Sequence, residues 1–138
     1  MDKGGSDLEH ALGELLERLR EQRLIATSQR FFPYLEHLAY GAKLRVVGKD
    51  FVARVDRNLN LEFGLKALKY PPELLRGVFL HELYHPLVGT VPGEPRWEAM
   101  LGMALRAGFS EREAHALANT AADYAINSSL RRMGVDLP

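Results

Sequence analysis

Cysteine is absent from the chain. Disulfides, thiolate metal sites and a cysteine nucleophile are therefore excluded, and any metal must be held by imidazole and carboxylate. No apolar run approaches the roughly 20 residues that span a bilayer, and Met1-Asp2-Lys3-Gly4-Gly5-Ser6 lacks the apolar core of a signal peptide. The expectation is a cytoplasmic protein with no membrane partner. An excess of charge of either sign is missing too, since Lys plus Arg and Asp plus Glu both number 18 and alternate along the chain. No net field draws in nucleic acid, and none is expected as a partner. Repeats, low-complexity segments and linkers are also lacking. A length of 138 residues buries one modest core, so a single domain is expected over 1–138, with 1–26 as an N-terminal helical extension.

What is present reads as an α+β chain. Leu8, Leu12, Leu15, Leu16 and Leu19 recur at helical spacing behind Asp7, a residue able to cap a helix. A second helix is expected over Thr27 to Tyr40, late or kinked at Pro33, with Phe31, Phe32, Tyr34, Leu35 and Leu38 in the core. The period then changes. Leu44–Val47, Phe51–Val55 and Leu59–Phe63 alternate between turn-like breaks and predict three short strands, most simply an antiparallel meander. Pro71-Pro72-Glu73 opens a helix that Pro86 should end within a turn of His85. Beyond a Gly89–Pro95 loop, a helix runs from Pro95 to Gly108, with Trp97, Met100, Leu101 and Leu105 on its inner face. The last begins at Ser110, where Ser110 and Glu113 form a capping-box pattern, and continues to Gly134.

The chemistry concentrates in His81-Glu82-Leu83-Tyr84-His85. Residues four apart on a helix share a face about 6 Å apart along the axis, so His81 and His85 can aim ring nitrogens at one ion. Glu82 projects about 100° round from His81, which suits a base acting on a water at an open metal position. Zinc with three protein ligands brings the pKa of such a water towards about 7, and a neighbouring carboxylate can take its proton during attack on a carbonyl. The opposing reading, two histidines of an ordinary core helix, leaves imidazoles without partners on an apolar face, which is costly.

A third ligand is needed, and Asp123 lies at the centre of an alanine-rich helix with Asn119 and Asn127 one turn to either side, placed to orient its carboxylate or nearby backbone. Small residues Ala118, Ala121, Ala122 and Ala125 would let that helix approach another closely. Competitors are Glu94, Glu98 and His115. The last is displaced about 80° around the helix from Asp123, so the two can hardly share an ion. His115 is expected to be exposed, to support a ligand from behind, or to stabilise the oxyanion, and for that last role Tyr124, Tyr84 and Tyr40 are unranked alternatives. His10 and His37 read as surface or packing residues.

The succession from Phe51-Val52-Ala53-Arg54-Val55 and Leu59-Asn60-Leu61-Glu62-Phe63 through Leu74–His85 to Asn119–Asn127 resembles the metallopeptidase-like domain found ahead of von Willebrand factor A-like domains in prokaryotes. It is also similar to minimal single-domain zincin-type peptidases. The resemblance spans about Phe31 to Leu130. It implies a zincin-like fold, a small, mostly antiparallel sheet packed on the His-Glu helix with further helices at both ends. It also implies Zn2+ held by His81, His85 and Asp123, with Glu82 as base, and a partner ATPase or von Willebrand factor A-like protein. Pro86 and an Asp in place of the commoner Glu ligand depart from the pattern.

The expected activity is zinc-dependent hydrolysis of peptide bonds in a peptide or unfolded protein lying along the cleft rim, for which Leu59–Phe63 is the expected strand. The alternative is a latent or non-catalytic zinc-binding module acting in partner binding. A deformylase-type amide hydrolase is disfavoured by the missing cysteine ligand.

Overall fold

The structure is a computed structural model and describes residues 3–28 and 41–138. Beyond Ser28, the helix expected up to Tyr40 lies outside the described residues, together with Phe31, Phe32, Tyr34, Leu35, His37 and Leu38.

Helix α1 (Lys3–Ser28) starts ahead of Asp7, which is therefore one of its helical residues and not its cap. Its leucine stripe turns inward past the exposed Leu8. Leu15 and Leu19 are wholly buried in the same cluster as Leu61, Phe63, Phe79 and Leu83. The Arg18 guanidinium donates to the Tyr70 carbonyl at 2.8 Å, and that of Arg23 to the Ala42 carbonyl at 3.1 Å.

Strands β1 (Lys43–Val46), β2 (Ala53–Val55) and β3 (Asn60–Phe63) form a sheet of order β1-β3-β2. It is mixed, not a meander, because β1 runs parallel to β3 and β2 antiparallel to it. The strand expected at the rim, Leu59–Phe63, is thus the centre of the sheet, with both of its edges paired. Gly64 permits this order. A Cβ there would collide with the Phe51 and Lys49 carbonyls, so only glycine lets the β1–β2 connection cross the end of β3. The crossing is tied down by amide-to-carbonyl bonds from Gly64 to Val52, Leu65 to Lys49 and Lys66 to Phe51. Alternation on β3 buries Leu61 and Phe63 against the helices and turns Glu62 outward, where register sets it between Arg45 and Arg54. Its carboxylate lies 2.8 Å from Arg54 and 3.8 Å from Arg45.

After a 3-10 turn (Leu65–Lys69), helix α2 (Pro72–Val88) begins with proline at its first position, where no amide is needed. Pro86 sits inside its last turn, and Gly89 ends it in the left-handed conformation with φ of 74°. Helices α3 (Pro95–Arg106) and α4 (Glu111–Arg132) complete the fold. On α3, Trp97 is buried but Leu105 is 43% exposed and does not belong to the inner face. The capping box of α4 is present in full, Ser110 Oγ accepting from the Glu113 amide and Glu113 Oε1 from the Ser110 amide. No helix among the described residues is long and apolar enough to cross a membrane.

Candidate metal centre

Helix α2 buries Leu75, Val78, Phe79, Leu80 and Leu83, and its Phe79 ring stacks on Phe63 of the central strand, with centroids 6.5 Å apart. That fixes the rotation of the helix. His81, Glu82 and His85 are left along a cleft between β2, the Thr90–Pro92 loop and α4. Helix α4 packs through Ala114, Ala118 and Ala122, followed by Ile126 and Leu130, all buried at four-residue spacing. Alanines at the contact bring its backbone close enough for the short Asp123 side chain to reach across.

His81 Nε2 and His85 Nε2 each lie 3.1 Å from Asp123 Oδ1. The ring centroids are 5.0 Å apart and nearly perpendicular, at 79°. The outer nitrogen of each ring is also engaged. His81 Nδ1 is 2.7 Å from Asn127 Oδ1, and His85 Nδ1 is 2.8 Å from the Thr90 hydroxyl. An amide oxygen only accepts, so His81 Nδ1 carries a hydrogen and donates it. Thr90 Oγ1 donates its one hydrogen to the His85 carbonyl at 3.3 Å, so it too accepts from the ring. Neutral imidazoles held this way turn their Nε2 lone pairs onto a carboxylate oxygen. Three acceptors facing one another are stable only with a proton or a cation between them.

A metal fits that demand. The three ligand atoms lie within 4.8 Å of one another. Tetrahedral bonds of about 2.0–2.1 Å to zinc would separate ligands by about 3.3 Å, close to the 3.1 Å observed between each Nε2 and Oδ1. Hydrogen bonding of the far ring nitrogen to a fixed acceptor is also how metal-binding histidines are oriented. His81, His85 and Asp123 could therefore hold a metal ion, through two imidazoles and a carboxylate.

Electrostatics follow the same geometry. Burial alone would raise the Asp123 carboxyl, but hydrogen bonds and charge from His81 and His85 hold it well below its ordinary range. Burial opposes protonation of His81, yet Asp123 and Glu82 overcome it and push the imidazole up. Burial pushes the Glu82 carboxyl up to about 7, against the pull of the two histidines. Glu82 makes none of the close contacts of the triad and shares the cleft with it.

The remaining candidates lie around the triad or away from it. Asn127 binds the His81 ring rather than the Asp123 carboxylate, while Asn119 lines the cleft beside it. His115 lies against Trp97, with centroids 5.9 Å apart, exposed and outside the cleft. Tyr124 is 76% exposed and also outside it. Tyr84 faces a separate groove behind the centre, and Tyr40 lies outside the described residues. Glu94 accepts from the Val91 amide at 3.0 Å, and neither it nor Glu98 joins the triad. His10 is exposed on α1. Thr90, which no sequence argument singled out, follows the left-handed Gly89, so the end of α2 turns its hydroxyl back onto His85.

The cleft encloses about 350 Å³ and includes Ala53, Arg54 and Val55 of β2. The strand beside the centre is therefore β2, an edge strand. No family model, curated protein or solved structure matches the chain, so the site is read from its own geometry.

Proposed function

We propose that the chain is a zinc-dependent metallopeptidase acting on extended segments of peptide or unfolded protein. The observation that carries this reading is the convergence of two Nε2 atoms and Asp123 Oδ1 with both Nδ1 atoms already engaged. His81, His85 and Asp123 would hold the ion, and two imidazoles with one carboxylate and no thiolate suit zinc at a site that keeps a position open. When bound, zinc supplies Lewis acidity for a carbonyl oxygen and for a water molecule.

The chain's own residues do the rest. Glu82 shares the cleft with the three ligands without being one of them, so its carboxylate can take a proton from the attacking water and pass it to the departing amine. Asn127 and Thr90 keep the two rings aimed inward. An extended substrate can lie along the cleft by adding to β2, because main-chain pairing to an exposed sheet edge accepts any sequence and leaves discrimination to side chains. If the resemblance of the His81–His85 and Asn119–Asn127 segments to zincin-type domains holds, the proposal extends to a partner ATPase or von Willebrand factor A-like protein.

A latent or non-catalytic zinc module is the competing reading, and it has no use for a carboxylate, Glu82, that lines the cleft without joining the triad. The test compares wild type with Glu82→Gln for bound zinc and for cleavage of an unfolded protein. Both should carry equal zinc, with cleavage reduced about 100-fold or more in the variant. Zinc bound by both and cleavage by neither would sink the peptidase reading and leave the module.

A further inference from the structure

The chain as a whole is neutral, but the outer face of its sheet is not. Strand alternation turns Lys43 and Arg45 of β1, Arg54 of β2 and Glu62 of β3 away from the helices. Register sets Arg45, Glu62 and Arg54 side by side across the three strands, a row of plus, minus and plus. The row ends at Arg54, because β2 is an edge strand, and Arg54 also borders the main cleft. Its guanidinium is held in place. Nε donates to Glu62 Oε1 at 2.8 Å, and the group lies over the Phe51 ring, 4.6 Å from the centroid. Both terminal amino groups are left for a further partner. Asp56, the next residue to project on that side, is not one, since its carboxylate accepts from the Asn58 and Asn60 amides and from the Asn60 side chain.

We infer that the sheet edge selects substrate segments carrying an aspartate or glutamate opposite Arg54. The inference rests on the peptidase reading above, with the substrate paired to β2. The ladder fixes where such a residue sits. The Gly64 amide donates to the Val52 carbonyl at 3.0 Å, and the Asp56 amide to the Asn60 carbonyl at 3.2 Å. Hydrogen-bonded pairs of an antiparallel ladder recur at every second residue. Val52, Arg54 and Asp56 therefore direct their main-chain groups to β3, while Ala53 and Val55 turn theirs to the open edge. A guest strand in the more stable antiparallel sense bonds to Ala53 and Val55 and places one residue between them, opposite Arg54. Residues facing each other without backbone bonds stand closest in a ladder, with Cα atoms about 4.5 Å apart and side chains on one face. The guest side chain thus becomes the fourth member of the row. An acidic guest continues the alternation of charge, and a basic one sets like charges opposite each other, which is destabilising. A guanidinium already oriented by Glu62 and Phe51 meets a carboxylate with little further ordering. Because the Arg54 side chain is 55% exposed, the preference is modest and weakens with salt.

The test is a set of quenched-fluorescence peptides in which Glu, Gln or Lys is placed at each position in turn, cleaved by the zinc-loaded protein. At one position wild type should show a kcat/KM about 2- to 5-fold higher for Glu than for Gln, with Lys lowest. That ratio should shrink towards one in 1 M NaCl, where the Debye length is about 3 Å. Arg54→Gln should abolish the Glu preference at that position, and Arg54→Glu should turn it into a Lys preference. Each ratio is read within one protein, so a variant that folds less well still reports it. Cleavage by wild type with no position favouring Glu, or a Glu preference that survives Arg54→Gln, overturns the acidic selection and leaves the peptidase reading in place. Cleavage of none of the peptides by wild type removes both together.

Discussion

Helices α2 and α4 supply the three converging side chains and are built in opposite ways. Helix α2 is the larger contributor to the core, burying Leu75, Phe79, Leu80 and Leu83 on one side while carrying His81 and His85 on another. Helix α4 buries a stripe whose first three members are alanines, and it leaves Leu117 and Tyr124 exposed. The side chains they present differ accordingly, with 15% and 11% exposure for His81 and His85 against 47% for Asp123. One helix places its ligands by being locked into the core, the other by being slim enough to come close. Precision at this centre thus depends on deep packing on one side and on small side chains plus Asn127 on the other.

The largest expected effect breaks the locked side. Phe79→Ala removes a wholly buried ring stacked on Phe63 and should cost about 3–5 kcal/mol in urea unfolding. Leu117→Ala, on the exposed side of α4, should stay within about 0.5 kcal/mol. Comparable losses for the two would mean that α4 is anchored as deeply as α2, and the contrast would fall.

The same contrast explains what the sequence discloses. Both prolines at the start of α2, the His81–His85 spacing and the Ser110–Glu113 box are local signals, decided by residues within a turn or two of one another, and they are visible in one dimension. Helix α4 is legible through its alanines, and Asp123 stands out as the acid among them. Strand order is not local. Neighbouring strands in sequence usually pair, which favours a meander, but here Gly64 lets the β1–β2 connection cross over the end of β3 and the third strand enters the middle. The rim therefore passes from Leu59–Phe63 to β2. The partners of Asn127 and Thr90, and the return across α2 of the segment after α4, where Leu137 packs on the core, depend equally on how helices meet. Gly77, a helix-interior glycine with no local reason to be there, was the available hint of that return, since a Cβ there would collide with the Asp136 carbonyl.

A middle-sized effect sharpens the comparison at the ring nitrogens. Asn127→Ala removes the α4 partner of the outer His81 nitrogen, and Thr90→Ala removes that of His85 in the turn after α2. Each should weaken zinc binding about 10- to 100-fold in competition with a chelating dye. His85 is the more buried of the two rings and is held by the core on its own helix, so the loss should be smaller for Thr90→Ala. Unchanged affinity for Asn127→Ala would show that α4 contributes Asp123 and nothing more.

A further, smaller loss concerns how α4 starts, about three turns from Asp123. Ser110→Ala removes the hydroxyl that accepts from the Glu113 amide at 3.2 Å and should cost about 1 kcal/mol of stability. Its pH dependence has a defined sign. The Ser110 amide, then the Ser110 hydroxyl, lowers the Glu113 carboxyl below its ordinary value, so the folded state prefers the ionised form. Stability from this group is complete above the ordinary glutamate value and is lost as the pH falls through the lowered one. The gap between wild type and Ser110→Ala, followed by urea unfolding of the metal-free proteins, should therefore hold steady near neutrality and narrow on acidification. A gap that widened in acid would mean that Glu113 is not ionised in the box, and that α4 is started by its serine alone.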